Sequence, residues 1–304
     1  NYILDWKNFQ VFVFDDKGHY LHTIGKRGQG PGEYREVYDM IVDESKNQVR
    51  LLSPFGSLYT YDLEGNFIKQ NQLPEKSNYQ AMEQIGDNIM TWTIPVSSDE
   101  PCITIVNADN GKEVSSLWKG PRILNSLSGG SFYTYDGKTY FAPAFHNNEI
   151  LEVTEDSLKL AYKWDFGKDN IDISKYNFTL TDDNQAEEGR LMTNYLENGT
   201  IPYLLGSQYQ NSKYFYVCFS YGWFPNQTIK HLFYRKSDGK SFFFKDTQEN
   251  ISIRPQAFEE ECIVQFASYD DLEAYKSILS PAEYQKIISR NEEDNPCLIK
   301  LYFK

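Results

Sequence analysis

A short hairpin pattern recurs along the chain and constrains its fold more than any other feature. About four apolar or aromatic residues are followed by Asp-x-x-Gly and then by a second apolar stretch, at Val11–Leu21 and again at Leu58–Ile68. Weaker copies begin at Ile103, Ile150 and His231. Asp accepts hydrogen bonds from its own turn and Gly adopts the positive φ that closes it, so the pattern predicts β-hairpins. A calcium loop would need a denser series of oxygen ligands.

Two further strand-like runs precede each later hairpin. Four strands in every 40–50 residues is the spacing of a propeller blade. We therefore predict an all-β fold, a six-bladed β-propeller with four-stranded blades, in one domain over residues 1–304. The predicted blades lie near residues 1–25, 37–73, 79–118, 128–167, 201–246 and 252–304.

The first and last of these units each show only three strands. A propeller ring usually closes by pairing strands from both chain ends in one blade. We therefore expect the missing strands upstream of Asn1 and a chain that is truncated at its N terminus.

Two segments depart from the blade pattern. Residues 168–200 have little strand character, and we interpret them as an insertion with a short helix near 183–197. Residues 270–290 are predicted to be helical, because Ser280–Glu283 forms a capping box with Pro at the first helical position. The apolar face that follows, which includes Tyr284, is expected to pack on the side of the propeller.

Composition and charge exclude several classes of partner. Aromatic residues make up 16% of the chain, which favours strands. The net charge is −13 and there is no basic run, so nucleic acid and anionic membrane surfaces are excluded as partners. No apolar stretch approaches the roughly 18 residues of a membrane span. We predict no transmembrane span.

The four cysteines do not form a metal-binding pattern. Cys102, Cys218, Cys262 and Cys297 include no CxxC pair, and no His lies at zinc-ligand spacing from any of them. The sequence predicts no metal and no cofactor. We interpret the cysteines as buried thiols, with a Cys262–Cys297 disulfide left open as an alternative.

The segment Ile24–Tyr34, Ile-Gly-Lys-Arg-Gly-Gln-Gly-Pro-Gly-Glu-Tyr, is the most distinctive in the chain. Following a Phe-Asp-x-x-Gly hairpin, it resembles the six-bladed propeller proteins that are abundant in Bacteroides and similar in layout to NHL-repeat propellers. Phe145–Leu151 and Glu293–Lys304 also fit that family. The resemblance implies export to the periplasm or cell surface, with a lipid anchor upstream of residue 1. It implies no reaction and no catalytic residues.

The same glycine-rich segment contains the first candidate ligand contacts. Phosphate loops require a helix directly after the glycines, and the Gly-Pro-Gly at residues 30–32 breaks any helix. We therefore predict a connection between blades whose glycines allow close backbone approach. Arg27, Tyr34 and Arg35 are predicted to contact a ligand at the rim of the channel.

Two later loops supply the other candidates. His146 and Asn147 lie between two strands, where they would bind a sugar, act as an acid or base, or serve only as a turn. Tyr221 and Trp223 lie in an aromatic loop, where they would stack on a ligand or pack against the 168–200 insertion. The residues leave both pairs of alternatives open.

The leading functional hypothesis is a non-catalytic binding protein of the bacterial cell envelope, with a glycan or peptide ligand at the channel mouth. One alternative is a lyase or hydrolase acting on polysaccharide, but 43 Asp and Glu residues are too many to choose a catalytic pair. The other alternative is a structural subunit of an envelope complex. Catalytic residues are not identified by the sequence.

Overall fold

The computed structural model describes residues 1–76, 78–94, 100–117, 132–142, 148–170, 203–222, 226–267, 269–291 and 294–303. The described residues form two compact units. The first covers the described residues up to 165, and the second covers residues 166–170 and those from 203 onward. Whether the whole chain behaves as a single domain stays a prediction.

The first unit contains four antiparallel sheets in which each strand pairs with the next in sequence. The first sheet has three strands, β1 (Tyr2–Asp5), β2 (Gln10–Phe14) and β3 (Tyr20–Ile24). A short parallel pair follows, β4 (Lys26–Arg27) and β5 (Glu33–Tyr34). The second sheet comprises β6 (Asp39–Asp43), β7 (Gln48–Leu52), β8 (Ser57–Tyr61) and β9 (Phe67–Gln72). The third comprises β10 (Tyr79–Ile85), β11 (Asn88–Thr93), β12 (Ile103–Asn107) and β13 (Glu113–Leu117). The fourth comprises β14 (Phe132–Tyr135), β15 (Lys138–Phe141), β16 (Glu149–Val153) and β17 (Leu158–Lys163).

The second unit contains two sheets of the same kind. The fifth comprises β18 (Tyr203–Gln210), β19 (Tyr214–Tyr221), β20 (Thr228–Arg235) and β21 (Lys240–Phe244). The sixth has three strands, β22 (Pro255–Phe258), β23 (Cys262–Ala267) and β24 (Cys297–Tyr302). The six sheets lie inside the six predicted blade segments, and the predicted six-bladed β-propeller fold is confirmed.

Helical structure is confined to short pieces in the described ranges. The helix α1 (Pro281–Ile288) carries the predicted capping box, in which Ser280 and Glu283 satisfy each other's backbone N–H groups. The 3₁₀ segments are Glu44–Lys46, Gly167–Asp169 and Tyr269–Ser277. Helical structure near 270–290 is therefore confirmed, and the helix predicted near 183–197 lies outside the described residues. None of the described helices has the length and apolar character needed to cross a bilayer.

Apolar side chains of adjacent sheets form the core. In the first unit, Val11 and Val13 of the first sheet pack with Val49 and Leu51 of the second. Equivalent clusters join the second sheet to the third and the third to the fourth. In the second unit, Tyr216 of the fifth sheet shares a cluster with Ile263 of the sixth. Each sheet thus buries apolar side chains against its neighbour within the unit.

The glycine of the hairpin repeat has a tertiary role as well as a local one. Gly65 has φ +89°, and a Cβ at this position would lie 2.8 Å from the carbonyl oxygen of Thr23 in β3. At Gly111, with φ +72°, a Cβ would lie 2.9 Å from the carbonyl oxygen of Gln72 in β9. Both glycines therefore let a hairpin approach the backbone of the preceding blade's outer strand. Gly18 closes the corresponding turn of the first sheet, where a Cβ would meet nothing within 4 Å.

The register of β23 and β24 shows whether Cys262 and Cys297 can form a disulfide. Cys262 pairs with Tyr302, and Cys297 pairs with Ala267, at opposite ends of the β23–β24 ladder. Five residues along a strand span about 16 Å, far beyond the roughly 7 Å limit between the Cα atoms of a disulfide. The alternative of a Cys262–Cys297 disulfide is wrong, and all four cysteines are free thiols.

The repeated glycine gives a matched test of how blades pack. Gly18→Ala and Gly65→Ala both place a side chain at positive φ in the same turn, at a cost of about 1–2 kcal/mol each. Gly65→Ala should lose about 1–3 kcal/mol more, because its Cβ also meets the Thr23 carbonyl. Denaturant unfolding of the two variants measures the difference. Equal losses would contradict a close approach between the blades.

Candidate functional site

The glycine-rich loop is closed by one of its own carboxylates. The backbone N–H groups of Gln29 and Gly30 donate to Glu33 Oε2 at 3.0 and 2.9 Å, and Lys26 Nζ lies 2.8 Å from Glu33 Oε1. The Lys26 ammonium and these N–H groups lower the pKa of Glu33. A Cβ at Gly28 would lie 2.0 Å from Glu33 Oε2. The groups that would cradle a phosphate are already occupied by Glu33.

Tyr34 is a core residue. Its side chain is only 1% exposed and packs edge to face on Tyr59, with ring centroids 5.6 Å apart. A Cβ at Gly25 would lie 2.6 Å from Tyr34 Cε1, so the glycine is needed for this packing. Burial raises the pKa of Tyr34 well above its usual range. The prediction of a ligand contact at Tyr34 is corrected on this ground, because its ring faces the core and not the surface.

One end of the first unit's blades gathers two kinds of loop. In an antiparallel blade, the turn after the second strand and the connection to the next blade both lie at the end where the first strand begins. In the first sheet the hairpin of the repeat joins β2 to β3, whereas in the second sheet it joins β8 to β9. The turn at residues 6–9, between β1 and β2, therefore corresponds to the turn at residues 53–56, between β7 and β8. The connection at residues 25–38 therefore reaches the same end. We call this end the connecting face of the first unit.

A stack of three aromatic rings and a guanidinium lies on the connecting face. Trp6 and Tyr38 have ring centroids 5.7 Å apart at an interplanar angle of 16°, and Phe9 lies 6.4 Å from Tyr38 at 24°. The Arg27 guanidinium carbon lies 5.7 Å from the Phe9 ring centroid. We call Trp6, Tyr38, Phe9 and Arg27 the aromatic column. Trp6 lies at the end of the column and is 45% exposed, and the Arg27 side chain is also exposed.

A tight local turn holds two rings of the column in place. Asp5 Oδ1 accepts the backbone N–H groups of Lys7 and Asn8 at 2.8 and 3.1 Å, and the Asn8 side chain donates to Asp5 Oδ2 at 2.7 Å. Phe9 then has φ +52°, in the left-handed region that bulky residues rarely occupy. Such a conformation costs on the order of 1–3 kcal/mol. The Phe9 ring packs against the core between the first two sheets, which stabilises the turn.

Arg35 extends the column along the connecting face. The parallel β4–β5 ladder pairs Arg27 with Tyr34, so Arg35 follows directly on the strand beside Arg27. Its guanidinium lies 5.3 Å from the Phe55 ring centroid, and its side chain is 76% exposed. Glu36 links it to the column, because Arg35 Nε lies 3.7 Å from Glu36 Oε1 and the Tyr38 hydroxyl donates to Glu36 Oε2 at 3.4 Å.

A cavity of about 280 Å³ lies next to Tyr38 of the column. It is bounded by the first strands β6 and β10 and by Phe132, and two acidic residues line it, Asp39 and Glu83. Asp39 directly follows Tyr38, so the column and the cavity are joined by one peptide bond. The two Asp39 oxygens accept the backbone N–H groups of Met40 and Met82, each at 2.8 Å. In the described ranges neither acid forms an ion pair.

Burial alters the titration of both acids. It raises the pKa of Asp39 to about 7, with a further increase from the Glu83 charge, although the two backbone N–H groups act in the opposite direction. Burial also raises the pKa of Glu83. Near neutral pH this cavity therefore offers one carboxyl group that can either donate or accept a proton.

Tyr221 is engaged in packing within the second unit. Its hydroxyl donates to Asp169 Oδ2 at 3.0 Å, and the Lys230 ammonium lies 4.7 Å from its ring centroid. Asp169 belongs to the start of the predicted insertion, so these contacts support the packing alternative for Tyr221. His146, Asn147 and Trp223 lie outside the described residues, and their roles stay predictions.

The described thiols and imidazoles form no nucleophilic site. His231 is buried, and its ring nitrogen Nδ1 lies 3.0 Å from the Tyr216 hydroxyl. Cys218 faces it across the β19–β20 ladder. Burial raises the pKa of Cys218 to about 11, so the thiol stays protonated at neutral pH. These three residues stabilise the core of the second unit.

The family profile described as a domain of unknown function, DUF4934, matches residues 1–302. The chain belongs to the DUF4934 family. No match was found among curated proteins. Membership thus places this DUF4934 chain in a family but assigns no reaction to the chain.

Two solved structures share the fold of this DUF4934 chain. One is a Bacteroides fragilis protein described as "Putative exported protein", which is 16% identical with a TM-score of 0.75. The alignment covers 100% of this chain and 87% of that protein. The other is a member of the DUF4221 family from Bacteroides vulgatus, 11% identical with a TM-score of 0.51, for which the alignment covers 78% of this chain and 75% of that one. At these identities the likeness concerns the fold alone.

The buried acid predicts a specific dependence of stability on pH. Because the pKa of Asp39 is higher in the folded than in the unfolded chain, its contribution to stability is greatest below about pH 4 and is lost as the pH rises through 7. Each pKa unit corresponds to about 1.4 kcal/mol, so the loss is at most about 4 kcal/mol.

Urea unfolding of the wild type and of Asp39→Asn between pH 4 and 8 measures this loss. As the pH rises, the unfolding free energy of the wild type should fall relative to that of Asp39→Asn. Glu83→Gln should give a change of the same sign. A difference that is constant with pH would show that Asp39 ionises normally in the fold.

Proposed function

We propose that this DUF4934 chain is a non-catalytic binding protein of the bacterial cell envelope that takes a glycan or peptide ligand at the mouth of the propeller channel. The aromatic column is the observation that carries the proposal. Trp, Tyr and Arg are the residues most enriched where binding energy concentrates in protein interfaces. Flat rings beside a guanidinium also suit a sugar ring or a peptide side chain.

The position of the column supports a ligand at the channel mouth. Tyr38 belongs to the column, and the next residue, Asp39, lines the cavity bounded by first strands. A ligand that stacks on Trp6 would therefore lie near the start of β6, which lines this cavity. Arg27 and Arg35, both exposed on the same face, are assigned to this site together with Trp6 and Tyr38.

The assignment to the envelope rests on similarity. The Bacteroides fragilis protein with the same fold is described as exported, and the alignment covers this whole chain. We extend that description to this chain as part of the proposal, with a lipid anchor in the full-length protein. Fractionation of cells that express the full-length protein, with and without globomycin to block lipoprotein processing, tests the location and the anchor separately.

A second candidate function is a carboxylate-dependent polysaccharide hydrolase. It is favoured by Asp39 and Glu83, which line one cavity, since glycoside hydrolysis needs one carboxyl group as acid and another as base or nucleophile. A raised pKa at Asp39 suits the acid. This candidate requires that new reducing ends form on a bound polysaccharide and that Asp39→Asn abolishes their formation. The third alternative, a structural subunit of an envelope complex, stays a prediction.

The binding proposal predicts a loss of affinity at one exposed ring. Trp6→Ala should weaken ligand binding about thirtyfold, because an interface Trp contributes about 2 kcal/mol or more. A glycan array and a peptide array identify the ligand, and calorimetry then measures its affinity for each variant.

Tyr302→Ala is the matched control, since it removes an exposed ring from β24 in the second unit, where Tyr302 is 68% exposed against 45% for Trp6. It should leave the affinity unchanged. Equal effects of Trp6→Ala and Tyr302→Ala, or release of reducing sugar during binding, would contradict the proposal.

A further inference from the structure

The two arginines of the connecting face lie on aromatic rings and form no ion pair closer than 3.7 Å with the described residues. Lys26, the neighbour of Arg27, pairs with Glu33 at 2.8 Å. Buried Arg50 lies 3.5 Å from Asp43. Arg27, by contrast, forms no ion pair with any part of the chain that the structure describes, and lies against the Phe9 ring instead. Among the described residues, Glu36 is the only carboxylate that approaches Arg35, at 3.7 Å.

The chain has 43 acidic and 30 basic residues, so carboxylates outnumber its cations. An excess of carboxylates makes it easy to give each exposed guanidinium a partner. Both arginines instead lie on aromatic rings, which orient a guanidinium while leaving N–H groups on its edge for another acceptor. Two oriented, exposed guanidinium groups, one on β4 and one directly after β5, form a receptor for negatively charged oxygen atoms.

The aromatic rings beside the two arginines narrow the range of ligands that this face can bind. Trp6, Tyr38 and Phe9 are nearly parallel, and such ring surfaces bind flat, rigid groups with apolar C–H faces. An acidic pyranose ring carries both features, a flat C–H face and a carboxylate or sulfate on its edge. A peptide rich in Asp and Glu would satisfy the arginines but would offer the rings no flat group.

We propose that the ligand of the connecting face is an anionic polysaccharide, whose sugar rings stack on the aromatic column and whose acidic groups bind Arg27 and Arg35. This inference rests on the proposed binding function and specifies its ligand class. Glu36 competes with the ligand for Arg35, and the Tyr38 hydroxyl keeps Glu36 in that position. The contact between Arg35 and Glu36 would be replaced by one between Arg35 and the acidic sugar.

The test is calorimetry on the whole chain with four probes. The first is tetragalacturonate, the second is the neutral tetrasaccharide obtained by reducing its carboxyl groups, the third is a sulfated form of that neutral tetrasaccharide, and the fourth is tetraglutamate. Tetragalacturonate or the sulfated probe should bind at least about tenfold more tightly than the neutral probe, since a charge-assisted hydrogen bond contributes about 1.5–3 kcal/mol. The comparison of these two anionic probes distinguishes carboxylate from sulfate as the recognised group.

The variants locate the recognition. Arg27→Gln and Arg35→Gln should each weaken binding of the preferred anionic probe about tenfold and leave the neutral probe unchanged. Arg27→Lys should recover only part of the loss, because an ammonium cannot form the two-pronged contact. Glu36→Gln should strengthen binding about two- to threefold. Arg254→Gln removes the same charge from an exposed position in the second unit and should have no effect.

The outcomes separate the inference from the function on which it rests. If the neutral probe binds as tightly as the anionic probes and Trp6→Ala abolishes that binding, the inference is overturned and the proposed binding function stands. If tetraglutamate binds most tightly, the ligand is an acidic peptide and the inference is overturned. If no probe binds, both the inference and a glycan ligand for this face are overturned.

Discussion

Each blade of this protein depends on its neighbour, because a single four-stranded sheet cannot bury both of its faces. The cores of the first unit lie between sheets, as where Val11 of the first sheet meets Leu51 of the second. The hairpin glycines extend that contact to the backbone, since Gly65 and Gly111 each approach a carbonyl of the preceding blade. The repeated Asp-x-x-Gly is therefore both a turn signal and a condition for packing one blade on the next.

The connecting face follows from the same constraint. The chain must travel from the outer strand of the first sheet to the first strand of the second, and Glu33 fixes the tight loop that begins this path. The path then places Arg27 and Tyr38 beside the turn that carries Trp6 and Phe9, and it places Arg35 beside the turn that carries Phe55. The column thus combines residues from a turn of one blade and from a connection to the next. The strained φ of Phe9 is maintained because its ring packs on the core shared by these blades.

The blades were predicted well from the sequence because the spacing of the strands and the residues of the turns are local features. The hairpin copies marked five of the six sheets, strand-like runs marked the sixth, and Ser280–Glu283 marked the helix by its capping box. The column could not be predicted in the same way, because Trp6 and Tyr38 are 32 residues apart and meet only through the packing of two blades. A partial signal was present in Asp5-Trp-Lys-Asn-Phe9, a turn of two strands that presents two large rings. Tyr34 was misplaced for a related reason, since a short strand does not reveal which of its faces is covered.

The central claim is that ligand binds on the connecting face of the first unit. Hydrogen–deuterium exchange, read by mass spectrometry with and without saturating tetragalacturonate, tests it without any substitution. The account predicts slower exchange in peptides covering residues 5–9 and 25–38, with no change in β20 and β21. Protection confined to the second unit, or the same small change throughout the chain, would contradict it.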